Sequence, residues 1–366
     1  MYSYDKRIVI TLDAGGTNFV FSAIMGNEYI VEPITLPACA DKLDTCMASL
    51  VKGFDLVIGQ LKERPVAISF AFPGPADYPN GIIGGYLPNF PSFRDGVALK
   101  PFLEEKFGIP VFINNDGDLY TYGEALTGVL PEISEKLKKA GSTKQFKNLI
   151  GYTLGTGFGI GIVIDGRLNV GDNSCVETFC LKHKKYPDVL LEEGVSIRAV
   201  TRVYGEQSGN ADHNLSPKEI CEIAEGTREG NKNAALESFE ELGEVAGDAI
   251  ATTVTLIDGL VVIGGGLAGA RKFFMPALLK EMRAQLKTLS GETLSRVQMK
   301  VYDLDDEKEF EAFAKGDFRE INVYGSDRKV AYDPQKRIGV TTSKIGTSRA
   351  IALGAYAYAL NKIDKK

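Results

Sequence analysis

The chain has 366 residues, 44% hydrophobic and 25% charged, which is too long for one ordinary core and points to a globular protein of two domains. With 42 basic against 48 acidic residues and a net charge of -6, the composition argues against a large nucleic-acid surface, because phosphate backbones demand clustered Lys and Arg. Small anions remain possible ligands, since backbone N–H groups and a metal ion can hold them.

In chain order, Ile8 to Leu12 is a short apolar run with the length and residue types of a buried strand. No leader is expected before it, and the five scattered cysteines read as reduced thiols; the expected location is cytoplasmic. Asp13-Ala14-Gly15-Gly16-Thr17 is a sharp turn into a second strand, Phe19 to Ile24. Val66 to Phe72 is a further strand, stopped by Pro73-Gly74-Pro75. Leu99 to Phe107 reads as a helix. Val111 to Ile113 reads as a strand that ends at Asn114-Asn115-Asp116, where a helical pattern begins.

The arrangement then recurs. Leu149 to Leu154 is a strand, Gly155-Thr156-Gly157 a glycine turn, and Phe158 to Ile164 a second strand closed by Asp165-Gly166. Ser216-Pro217-Lys218-Glu219 is a capping box that starts a helix. A second helix carries Leu236, Phe239, Leu242, Ala246, Ala249 and Ile250 on one face. It leads to a strand, Leu260 to Ile263, and to Gly264-Gly265-Gly266. Phe274 to Leu286 reads as helix, Asp303 to Gly339 as a charged, irregular surface elaboration, and Ser348 to Leu360 as a small-residue helix. Ala249 to Ala270 is the most membrane-like stretch, but Asp258, its threonines and three glycines argue against a span. Alternation of strand and helix makes the class α/β.

The glycine turns carry the chemistry. Glycine lets backbone N–H groups approach phosphate oxygens closely, and the Thr17 hydroxyl adds a donor. A carboxylate at Asp13 would repel phosphate unless a cation lay between them, so Asp13 is a candidate Mg²⁺ partner through water. Taken alone, this motif fits a plain hairpin turn equally well. In the second turn, glycines recur at 155, 157, 159 and 161, a burden in a strand that a ligand touching the backbone would explain; a bulged hairpin is the alternative. Gly264 to Gly266, between strand and helix, offers an anion-friendly floor. Asp116, just past a strand end, is a candidate general base, and Asn115 a candidate contact for a sugar hydroxyl; both residue types also serve as helix N-caps. With only His183 and His213 in the chain, carboxylates are the expected proton acceptors.

These motifs, in this order, resemble those of ROK proteins (repressors, uncharacterised proteins and sugar kinases), within the sugar kinase, Hsp70 and actin fold. The resemblance covers nearly the whole chain, except about 303–339. It implies a two-domain actin-like ATPase (ribonuclease H-like) fold with an inter-domain cleft. The first domain would be 1–116, completed by a C-terminal helix at 346–366; the second would be 117–345. It implies an ATP-dependent, glucokinase-like kinase acting on a hexose, with Asp116 as base. Sugar would be held by Asn89, Asn115, Asp116 and Glu177. ATP and Mg²⁺ would lie on Asp13, Gly15, Gly16, Thr17, Gly155, Thr156, Gly157, Gly264, Gly265 and Gly266. A homodimer or homotetramer is implied, with no nucleic-acid or membrane partner.

Three departures bear on sugar choice. The family's Glu-x-Gly-His appears here as Glu177-Thr178-Phe179-Cys180, without the histidine. The cysteine-rich zinc motif is missing, and Cys175, Cys180 and His183 supply three ligands at best, so no zinc site is expected. The family's second sugar-binding glutamate has no clear match near Asp188 to Glu193. The alternatives are a family repressor, for which Asp13 leaves no room for a preceding helix-turn-helix, and a catalytically weak sugar-binding regulator.

Overall fold

The apolar run after Arg7 forms a strand, and strands and helices alternate from there onward. The structure is a computed structural model that describes every residue except Met1, Pro75, Tyr86, Asp212, His213 and Lys366. Pro75 of the expected strand stop and His213 therefore lie outside the described residues.

The first stretch contains β1 (Val9–Ala14), β2 (Asn18–Met25), β3 (Glu28–Tyr29), β4 (Ile34–Pro37), α1 (Leu43–Gln60), β5 (Ala67–Ala71), the short strands β6 (Ala76–Asp77), β7 (Ile82–Ile83) and β8 (Val97–Ala98), α2 (Leu99–Phe107), β9 (Val111–Asn114), α3 (Asp116–Leu126) and α4 (Val129–Lys139). Next come β10 (Leu149–Leu154), β11 (Phe158–Ile164), β12 (Arg167–Leu168), α5 (Ile197–Ser208), α6 (Pro217–Glu225), α7 (Lys232–Ile257), β13 (Leu260–Gly264) and α8 (Arg271–Met282). The chain closes with β14 (Gln285–Lys287), β15 (Thr293–Ser295), β16 (Lys300–Asp303), α9 (Glu307–Lys315), β17 (Arg319–Asn322), β18 (Lys329–Tyr332), β19 (Arg337–Thr342) and α10 (Thr347–Asp364).

Two compact units divide these elements. One takes Met1–Pro131, Ile160–Val176 and Lys344–Lys366; the other takes Glu132–Gly159 and Glu177–Ser343. The boundary expected at residue 116 falls inside the first unit, because α3 packs along α10 there.

In the first unit the strand order is β3-β2-β1-β5-β9, with β4 on β2. β1 and β2 form an antiparallel hairpin, and β5 and β9 add in parallel. Phe19, Phe21, Phe54, Phe70, Phe72, Phe90 and Phe93 interlock between this sheet and its covering segments. Each such ring, fully buried, contributes about 1.5–3 kcal/mol. Across the sheet, Leu353, Tyr356 and Leu360 of α10 pack on Val9 and Ala67, and Ala355 packs on Leu119 of α3. The short α3, which carries Asp116, is thereby braced along its length.

In the second unit β10, β13, β19 and β16 lie in that order, all parallel. α6 begins with the expected capping box, in which Ser216 and Glu219 bond reciprocally. α7 buries Phe239, Leu242, Ala246, Ala249 and Ile250 as its periodicity predicts, but Leu236 is 37% exposed. The stretch read as an irregular elaboration is more ordered than expected. It holds α9, the exposed hairpin β17–β18 and the start of β19, which is buried at all six positions. Charged neighbours and Gly339 hid that central strand from a composition-based reading. Likewise α8 ends at Met282, and Leu286, 56% exposed, sits in an exposed strand. Beyond Met282 no buried face remains to sustain the helix. Among the described residues no helix is long and apolar enough to cross a membrane.

Candidate active site

The first glycine turn closes the β1–β2 hairpin above the pair Ala14 and Phe19. Asp13, Gly15, Thr17 and Asn18 are exposed there, while Leu12 and Phe19 on either side are buried. A Cβ on Gly16 would stand 2.8 Å from the Cβ of Asn89. Asn89 is thus brought against the turn, from a segment far away in sequence.

Register sets the next relationship. Asp13 on β1 aligns with Ala71 on β5, and Ala71 with Asn114 on β9. The carboxyl ends of three parallel strands therefore lie in a row, with Asp13 and Asn114 two strand spacings apart, roughly 10 Å. This is the end of an α/β sheet where ligand sites form. Asn115 is the N-cap of α3, its Oδ1 accepting the Gly117 N–H at 2.8 Å. Asp116 Oδ1 shares the same proton at 2.8 Å. Both residues thus do the capping work their types allow, and Asp116 keeps its second oxygen for other contacts.

Crowding by protein raises the Asp116 carboxyl above its ordinary range; the N–H groups of Gly117 and of Asp116 itself pull it down, and the charge of Asp13 pushes it up again. Water still reaches the side chain, which tempers the shift without reversing it. Asp13 is raised too, by desolvation. Neither carboxylate has a cationic partner among the described residues. An uncompensated anion beside a glycine turn fits a divalent cation that arrives with phosphate. Next to them the amide nitrogen of Asn114 is buried with no hydrogen-bond partner, a polar group the sequence reading passed over.

In the second unit Thr153 of β10 aligns with Gly264 of β13. The glycine turn 155–157 and the run 264–266 therefore emerge side by side. Gly265 has φ +87, and a Cβ there would lie 2.2 Å from the carbonyl oxygen of Leu154; no other residue type fits so close an approach. Gly266 opens a short 3-10 turn before α8.

The turn 155–157 is held by residues that sequence reasoning did not assign. The Gly155 carbonyl accepts from the Ile197 N–H at 2.8 Å. The Phe158 N–H donates to Glu192 Oε2 at 3.0 Å. Arg198 donates to Glu192 at 3.1 Å and to Glu193 at 2.8 Å. These carboxylates, Glu193 foremost, raise the guanidinium pKa. Glu192 falls within Asp188 to Glu193, where the family's second glutamate has no clear match in the sequence, and only the fold brings it to the turn. Glu177 is half-buried in the same unit. Cys175 belongs to the first unit, Cys180 and His183 to the second. His183 is 2% exposed, with Nδ1 accepting from the N–H groups of Lys185 and Tyr186. Among the described residues no cluster of three or more His, Cys, Asp or Glu could hold a metal ion.

A model described as the ROK family matches residues 9–178 and 189–306. The crystal structure of glucokinase from Parabacteroides distasonis is 63% identical to this chain, with TM-score 0.91 and 99% of each chain covered. Glucokinase from Streptomyces coelicolor is 25% identical over 304 residues, 76% of this chain and 88% of that protein. A ROK family glucokinase from Streptomyces griseus, solved with glucose and AMPPNP, is 18% identical with TM-score 0.61, covering 96% of this chain and 98% of its own; that likeness carries the fold alone. The fold is α/β, of the actin-like ATPase type.

Proposed function

The chain belongs to the ROK family, and from that premise we propose that it is an ATP-dependent sugar kinase acting on a hexose of the glucose type, with Asp116 as the general base. The observation that carries this reading is the row of strand ends in the first unit. There Asp13 at a glycine turn and Asp116 at a helix start face the same end of the sheet, and neither is paired with a cationic side chain among the described residues. The 63% identity to a glucokinase supports the substrate class, and ATP is the phosphoryl donor in this reading.

In this reading Asp116, its carboxyl raised by crowding, accepts the proton of the sugar hydroxyl. The hydroxyl oxygen attacks the γ-phosphorus, the bond to the β,γ-bridging oxygen breaks, and ADP leaves. Asn89, Asn115 and Glu177 hold sugar hydroxyls. Backbone N–H groups of the turns at 15–17 and 155–157 take phosphate oxygens, and Gly264 to Gly266 lie under the nucleoside. Asp13 would hold a Mg²⁺ ion through water; when bound, that ion neutralises phosphate charge. Catalysis then comes from positioning and charge compensation.

One observation favours a second reading, that of a weakly active sugar-binding regulator. Cys180 stands where the family places a histidine on the sugar. A coupled turnover assay across a panel of hexoses separates the two. ATP-dependent turnover of one sugar supports the kinase. Sugar binding without turnover supports the regulator and overturns the first reading.

A further inference from the structure

At the other end of the second unit's sheet the charge balance reverses. β16 and β19 begin there, and Lys300, which opens β16, donates its backbone N–H to the carbonyl of Lys336, just before β19, at 2.9 Å. Beside them lies a cavity of about 750 Å³, within the range of small-molecule sites. Four cations line it, Arg283, Lys300, Lys308 and Lys336, against one carboxylate, Glu309. In a chain with more acidic than basic residues, that concentration of one sign is a local field.

The carboxylate is already committed. Glu309 pairs with Arg283 and accepts the Asp303 N–H at 2.7 Å. Arg283 Nε in turn donates to the Val301 carbonyl at 3.1 Å, so the guanidinium is locked onto the sheet edge. Lys300, Lys308 and Lys336 have no ion-pair partner among the described residues. Lys300 Nζ stands 5.0 Å over the ring of Tyr302, itself fixed by a hydrogen bond to Gln335. The floor is apolar, with Met282 and Val297 buried. A second cavity of about 280 Å³ shares Met299 and Lys336 and adds Lys144 and Lys147 to the rim. Three unpaired ammonium groups and a preorganised guanidinium above an apolar floor suit a ligand with a phosphoryl group at one end and a carbon body at the other.

We propose that this cavity, at the amino ends of β16 and β19, binds a small phosphorylated metabolite. The glycine turns at 155–157 and 264–266 lie at the carboxyl ends of the parallel strands β10 and β13, so this site is separate from them.

The test uses calorimetry on the full chain at low ionic strength, with pyrophosphate, a hexose 6-phosphate and AMP as separate probes. Wild type is compared with Lys300→Glu/Lys336→Glu and with Lys300→Gln/Lys336→Gln. At least one probe should bind wild type and weaken about tenfold or more in the glutamine variant, with a larger loss in the glutamate variant. Added salt should weaken it too. Lys300→Arg/Lys336→Arg should retain binding. The probe that responds tells a sugar phosphate from a nucleotide. Sugar and ATP turnover without the probe should not change in the glutamine variant, whose unfolding temperature checks the fold. Equal binding of every probe by wild type and the glutamine variant, or no binding to wild type, would overturn the proposal.

Discussion

Arg198 donates from Nη1 to the carbonyl oxygen of Thr156 across 3.2 Å, while its other terminal nitrogen holds Glu192, which accepts the N–H of Phe158. One side chain thus ties the crest of the second glycine turn to the carboxylate that fixes its exit. The guanidinium is half exposed, so its ion pairs add at most about 1 kcal/mol to stability. Arg198→Ala should leave the thermal unfolding midpoint nearly unchanged yet raise KM for ATP roughly tenfold, the scale of one lost charge-assisted hydrogen bond, with KM for sugar unmoved. Steady-state kinetics with each substrate varied in turn checks this. An equal rise in both constants would place Arg198 elsewhere in the mechanism.

Asp116→Asn keeps the cap on Gly117 through an isosteric side chain but removes the base. Turnover should fall by roughly 10²-fold or more while sugar still protects the protein against heat. Because the carboxyl is raised and must be ionised to accept a proton, wild-type kcat should fall on the acid side at a pH above the ordinary carboxylate range. A pH profile of kcat without that limb, or near-normal turnover in the variant, would remove Asp116 from the role.

Gly117 follows Asp116, and a Cβ there would lie 2.5 Å from the carbonyl oxygen of Ile160. The obstacle is backbone, which yields little. Gly117→Ala should cost about 1–3 kcal/mol as an overpacking change and should also lower kcat, since the start of α3 has to move. Chemical denaturation and turnover measured on the same sample test both halves.

His183 is buried and its Nδ1 accepts two backbone N–H groups, which requires the neutral ring. Burial, the leading cause, pushes its pKa below the ordinary histidine value of 6.5, with Arg202 and Lys185 acting the same way and Glu241 and Glu193 opposing. The folded state therefore disfavours the proton that the unfolded chain takes up near pH 6.5. Its contribution is complete above that pH and declines as pH falls below it. The unfolding temperature should drop as pH falls below about 6.5, and His183→Gln should flatten that slope. Identical slopes in both proteins would show that another group titrates.

Much of the local architecture was legible in the residues. The glycines at 15 and 16 and at 155 and 157 mark turns between strands, Ser216 and Glu219 mark a helix start, and Asn115 caps α3. Each effect acts within a few residues, where backbone geometry and short side chains decide. The ends of α8 and the burial of β19 were not legible. Whether Leu286 or Ile338 is covered depends on neighbours remote in sequence.

The sequence by itself determined where the chain must turn, which carboxylates end strands and the class of fold, because φ restrictions, hydrogen-bond caps and hydrophobic period are local properties. Tertiary structure alone decided that Asn89 meets Gly16, that Glu192 and Arg198 clamp the turn at 155–157, and that Lys300, Lys308 and Lys336 converge on one cavity. Register and packing bring those groups together, and no spacing along the chain encodes that.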